Sequence, residues 1–160
     1  MAALLVLLSA PACTSDEQRA LDHLENGNAY LQDGRRTEAA LEFRSALRFD
    51  PESLKAHNRL AEIELMNGAY AAALAHLAAA YQLDPTDAHT ALYLASLLRS
   101  DQPERAEALV EAVIEREPNN PAGYIGRSEQ ALSQGRSQAA TAAARKAMML
   151  APDDPSGDWQ

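Results

Sequence analysis

LENGNAYLQDGRRTEAALEFRSALRFDP, residues Leu24 to Pro51, decides the fold. Gly27, Gly34, Ala39, Ala46 and Pro51 punctuate it, with the larger Tyr30 and Phe43 between them. The same punctuation returns three more times. The prolines Pro51, Pro85, Pro118 and Pro152 are spaced 34, 33 and 34 residues apart. The alanines Ala39, Ala73, Ala106 and Ala140 keep the same spacings of 34, 33 and 34. A third small-residue column, Gly27, Ala61, Ala95 and Ser128, runs at 34, 34 and 33, so one residue is missing between Ala95 and Ala106. A fixed period of this length marks a repeat architecture, in which each unit buries its apolar face against the next.

Small residues recur where two helices must approach closely, and bulkier apolar ones fill the space between. The bulky column is Phe43, Leu77 and Val110, with only Ala144 in the fourth repeat. The next small position holds Ala46, Ala80, Val113 and Ala147. Gly34, Gly68 and Gly135 fall where each first helix should end, since glycine tolerates a left-handed C-terminal cap. The prolines follow each second helix and stop it.

These columns resemble the tetratricopeptide repeat (TPR) family, whose unit is a helix–turn–helix of about 34 residues. The resemblance covers roughly Asp16 to Pro152 and implies an all-α fold, a right-handed α-solenoid of four helix–turn–helix repeats. Their expected bounds are about 20–53, 54–87, 88–120 and 121–152. In the first repeat the spacing predicts helices to about Asp33 and from about Thr37 to Phe49, with Ser15 and Gln18 as a capping box and Asp50 as the cap of the following helix. The third repeat turns through Ser100-Asp101-Gln102-Pro103 without a glycine. The fourth opens at Asn120-Pro121, carries Arg127 in the column of Leu60 and Leu94, and has an alanine-rich second helix. The tail, 153–160, reads as the start of a fifth repeat of a longer array, as a segment whose Trp159 folds back on the last helix, as a docking end, or as a frayed tail with an exposed Trp159.

Composition narrows the function. Of 160 residues 47% are hydrophobic but only 5% aromatic, so the core is mostly Ala and Leu. The formal charge of −9 argues against a nucleic-acid partner, since phosphate binding needs a basic face. One cysteine excludes an intrachain disulfide. No catalytic constellation, metal motif or phosphate-binding loop is found, and neither a cofactor nor a small-molecule substrate is expected. His23 and His57 share one column, where they take the place of the family's aromatic packing residue; His76 and His89 read as scattered and solvated.

Met1 to Ser9, MAALLVLLS, is uncharged, apolar and too short to span a bilayer as a helix. With the small residues Ala10 to Ala12 it reads as a signal peptide over 1–12, followed over 13–19 by a short tether and the start of the first helix. Ala10-Pro11-Ala12-Cys13 resembles a bacterial lipobox, with Ala10 where leucine is usual, and implies acylation at Cys13. The layout resembles small TPR lipoproteins that support pilus, secretion or exopolysaccharide machineries. Thr14 after the cysteine implies an outer-membrane lipoprotein facing the periplasm. The alternatives are a cleaved but unlipidated signal, and a cytosolic TPR adaptor or co-chaperone whose apolar N-terminus is not a signal.

A protein or peptide partner is expected, held in the groove lined by the first helix of each repeat. The family's ligand-facing positions fall here on Leu24 and Asn28, on Lys55, Asn58, Arg59 and Glu62, on His89, Tyr93 and Ser96, and on Ile125 and Glu129. The family's clamp for a terminal carboxylate is matched only at Asn28; Leu24, Arg59, His89 and Tyr93 depart from it.

Overall fold

The computed structural model describes residues 15–151. Cys13 and Trp159, and with them the expectations on lipidation and on the tail, lie outside the described residues. Among those residues there are eight α-helices and no strand, arranged as four successive helix pairs, which is the all-α repeat class. The chain divides into two compact units, one ending at Pro51 and one beginning at Glu52.

The first unit is a hairpin of α1 (Asp16–Gln32) and α2 (Arg36–Phe49). Its core is Ala20, Leu24, Ala39, Ala40, Phe43 and Ala46, all buried. Gly27 is there for space, because a Cβ on it would meet Cε1 of the Phe43 ring at 2.5 Å. Ser15 caps α1 by accepting from the Gln18 amide at 3.2 Å. The Gln18 side chain donates forward to Asp22 instead of back to the cap, so half of the expected capping box forms.

The second unit stacks three hairpins. They are α3 (Leu54–Met66) with α4 (Tyr70–Leu83), α5 (Ala88–Leu98) with α6 (Pro103–Arg116), and α7 (Pro121–Ser133) with α8 (Ser137–Leu150). Each helix packs on the next, and α5 also touches α7. One core cluster, against which Tyr124 of α7 packs, runs through α3 to α6, including Ala61, Leu77, Leu94, Ala95, Val110 and Val113. Those residues are the columns read from the sequence. In the fourth repeat the small column is filled by Ser128, whose hydroxyl donates to the Ala140 carbonyl at 3.0 Å.

Three of the four internal turns are the same device. Gly34, Gly68 and Gly135 have φ of 74°, 74° and 71°. In each, the residue after the glycine donates back to the carbonyl five positions earlier, Arg35 to Tyr30, Ala69 to Glu64 and Arg136 to Ala131, all at 2.8 Å. This Schellman geometry satisfies the last carbonyls of the first helix and launches the second, which has no side-chain cap. The third repeat instead shortens α5 to 11 residues and closes it with Gln102 donating to Leu98 at 2.7 Å. Pro103 then occupies the first turn of α6.

Asp50 does not cap α3. It ends α2, and Ser53 caps α3 by accepting from the Ala56 amide at 3.4 Å. Asp87 and Asn120 do the same for α5 and α7. Pro51, Pro85 and Pro118 thus lie in the turns between repeats, and the cap follows each of them. Asp84 braces one such turn, accepting from the Thr86 amide at 2.8 Å and its hydroxyl at 2.6 Å. Those bonds hold its carboxyl below the usual carboxylate range.

Candidate functional site

In the second unit, the first helices α3, α5 and α7 carry the ligand-facing columns. One cleft of about 420 Å³ opens between α5 and α7. His89, Tyr93 and Ser96 line it from α5, and Ile125, Gly126 and Glu129 from α7. Five of these six were expected at a ligand surface from the sequence. The sixth, Gly126, was missed. It stands in the repeat column that holds Arg59 in α3 and Tyr93 in α5, so α7 presents no side chain there. A Cβ on Gly126 would lie 3.1 Å from Leu92 and 3.3 Å from Val110, so glycine is also what brings α7 close to α5 and α6. Gly123, one turn earlier, is held against Ile114 in the same way, at 2.8 Å from its would-be Cβ. Glycines three apart on one helix were the available signal.

The α5 wall of the cleft is a ring pair. The His89 and Tyr93 rings are 4.6 Å apart at centroids and tilted by 37°. His89 Nε2 lies 3.4 Å from Glu62, which also accepts from Arg59 at 2.8 Å. Ser96 donates its hydroxyl to the Tyr93 carbonyl at 2.7 Å. On the α7 wall, Glu129 accepts from Arg99 at 2.5 Å. Thus Arg59, Glu62, His89, Tyr93, Ser96 and Glu129 belong to one connected surface.

Four other expected positions fall elsewhere. Leu24 is buried in the core of the first unit, and so is not a ligand position. Asn28 is half-buried on α1 in that unit. Lys55 is exposed in the first turn of α3, outside the cleft lining. Asn58 is committed to structure: its amide nitrogen donates to the Thr90 hydroxyl at 2.9 Å, tying α3 to the buried start of α5.

The histidines are placed differently from the sequence reading in one respect. His76 is not solvated and scattered; its Nδ1 meets Nδ1 of His57 at 3.1 Å, both rings half-buried. His23 occupies the same column as His57, meets Glu42 through Nδ1 at 2.6 Å, and stacks on Phe49 with a 5.5 Å centroid spacing. Among the described residues no group of three His, Cys, Asp or Glu is placed to hold a metal ion. No helix among them is long and apolar enough to cross a membrane.

A second, smaller cavity of about 200 Å³ lies among α6, α7 and α8. Arg127 reaches Glu111 there through two nitrogens, and Arg136 reaches Glu107 at 3.3 Å. Its charges are mutually paired, which makes it a structural seam.

Comparison with solved structures returns the same helical-repeat fold. MamA 41-end from Desulfovibrio magneticus RS-1 superposes with a TM-score of 0.72 at 18% identity, covering 84% of this chain and 76% of that one. The first TPR of Spaghetti (RPAP3), bound to the HSP90 peptide SRMEEVD, gives 0.68 at 22% identity over 78% and 99% of the two chains. The TPR domain of Arabidopsis OM64 gives 0.64 at 16% identity over 72% and 96%. No curated protein sequence matches the chain. Tetratricopeptide-repeat family models match residues 24–88 and residues 64–128, spanning the first three repeats and the opening of the fourth. With its four helix pairs, its small-residue columns and these matches, the chain belongs to the tetratricopeptide-repeat family.

Proposed function

We propose that the chain is a protein-binding scaffold that captures a segment of its partner in the cleft between α5 and α7. One observation carries this reading. Positions separated by up to 40 residues in sequence, from His89 to Glu129, and selected only by repeat column, converge on a single cleft. The Spaghetti structure, with the same fold, holds an HSP90 peptide, which supports peptide capture by this architecture. The residues of the cleft itself then set what is captured. Site-specific photo-crosslinking tests the reading: a crosslinking amino acid replaces Tyr93 in cells, and another replaces Tyr70, which is 66% exposed on α4. A protein adduct is expected from position 93 only, lost when Ser96→Trp fills the cleft. Equal adducts from both positions, or none from 93, would refute it.

The scaffold's location rests on its first residues. The apolar run Met1–Ser9 followed by Ala10-Pro11-Ala12-Cys13 supports a lipoprotein acylated at Cys13, facing the periplasm from the outer membrane. There it would hold a component of an envelope assembly of the pilus, secretion or exopolysaccharide kind. Several acyl chains, at about 0.8 kcal/mol per buried methylene, would anchor it firmly. Intact-mass measurement on the native membrane fraction tests this: a chain beginning at acylated Cys13 is expected. An intact Met1 with a free Cys13 thiol would leave the cytosolic adaptor as the reading.

A further inference from the structure

We infer that this cleft, taken as the binding site proposed above, selects a segment presenting an aromatic side chain beside a lysine or arginine, and not an acidic chain terminus. The space is bounded by apolar surface from Leu92, Tyr93, Ile125 and the bare backbone at Gly126. At about 420 Å³ it falls within the range of pockets that take a whole ring system. Its exposed wall is the Tyr93 ring, 37% accessible, already tilted against His89. An incoming ring extends that stack, and an incoming cation meets its π face.

Charge points the same way. No lysine or arginine lines the cleft, and Glu129 is its one carboxylate. Glu129 has Arg99 as its partner, but its side chain is 48% exposed against 23% for Arg99, so the anion is the more accessible member. Arg59, an exposed cation on a ligand-facing column, is turned to Glu62 at 2.8 Å and lies outside the lining. A terminal carboxylate entering here would meet no cation in the lining, only Arg99 already bonded to Glu129, and would face that carboxylate. A lysine or arginine next to the buried ring would share that carboxylate.

The test uses fluorescent synthetic 12-residue peptides and the full chain. Central Trp, Leu or Ala is combined with flanking Lys or Glu, each with a free or an amidated C-terminus. Anisotropy titrations are run against the wild type, Tyr93→Ala and Glu129→Lys, with helical circular dichroism confirming that each variant folds. The Trp–Lys peptides are expected to bind best, indifferent to the C-terminal group. Tyr93→Ala should weaken them about tenfold, and Glu129→Lys about threefold while sparing the Trp–Glu peptides. If Glu-flanked or free-carboxylate peptides bind best and still lose affinity in Tyr93→Ala, the stated preference is wrong but the cleft remains the binding site. If no peptide binds, or binding ignores both variants, the cleft reading falls as well.

Discussion

The Phe43 ring occupies the place where a side chain at residue 27 would begin, with Cε1 2.5 Å from the Cβ that Gly27 lacks. The other repeats hold the same two columns with a different division of volume. Repeat two has Ala61 and Leu77, repeat three Ala95 and Val110, and repeat four Ser128 and Ala144. As the first helix goes from glycine to alanine to serine, the second goes from phenylalanine to leucine or valine to alanine. Phe43 is fully buried and has no room to swing away. Gly27→Ala should therefore cost about 1–3 kcal/mol by overpacking, only partly offset by about 1 kcal/mol of helix propensity. Phe43→Leu alone leaves a void over Gly27. The double substitution recreates the pair of repeat two and should melt above either single variant. Additive losses in thermal unfolding would show that the two positions do not share one space.

Gly34 offers the opposite case. Nothing lies within 4 Å of a Cβ there, yet its φ is 74°. The cost of Gly34→Ala is thus purely conformational, about 1–2 kcal/mol. Gly34→Asn should cost less, because asparagine enters the left-handed region more readily. Chemical denaturation of both variants checks the order. Equal losses for Ala and Asn would mean that the Arg35-to-Tyr30 bond, and not the dihedral, limits the turn.

The period was legible because steric columns leave their mark on residue size. Gly27, Ala39 and their counterparts are constrained by contacts inside one repeat, so spacing alone exposes them. The caps were less legible. Asp50 and Ser53 are both competent N-caps, and the choice depends on how far the inter-repeat turn runs past Pro51, which side-chain chemistry does not state. Asn58 shows the limit at the site. It falls on a ligand-facing column, but its partner Thr90 is 32 residues away, and a single long-range hydrogen bond leaves no periodic trace. Leu24 shares the Asn58 column and is drawn into the core. The cleft itself depended on Gly126, whose meaning appears only when it is set beside Arg59 and Tyr93 in register.

The turn at Asp84 carries an acid dependence. Its carboxyl is held below its ordinary value of 3.8, first by the Thr86 hydroxyl and then by the Thr86 amide. A depressed folded value means that the contribution is full above 3.8 and is lost as pH falls through the lower folded value. Thr86→Ala removes the leading bond, so the Asp84 titration should move up toward 3.8. Side-chain carboxyl titration by NMR reads this directly. An unmoved midpoint would assign the depression to the backbone alone.

The last repeat contains a replaceable ion pair. Leu60 and Leu94 are buried to 0% and 1% exposure, while Arg127 in their column bonds Glu111 with its side chain 39% exposed. A pair this wet contributes at most about 1 kcal/mol. Leucine at 127 would restore the apolar column against Val110 and Ala131, and Glu111, itself 40% exposed, could return to water without an uncompensated buried charge. Arg127→Leu is therefore expected to raise the melting temperature by a few degrees and to slow amide exchange in α7 and α8. A clear drop would mean that the Arg127 guanidinium, 5.7 Å above the Tyr124 ring as well as bonded to Glu111, holds α7 in place through both partners together. A double-mutant cycle of Arg127→Leu with Tyr124→Leu then separates the two contributions: coupling between them assigns the loss to the ring, and additive effects assign it to Glu111, with the Tyr124 bond to the Pro118 carbonyl cancelling from the cycle.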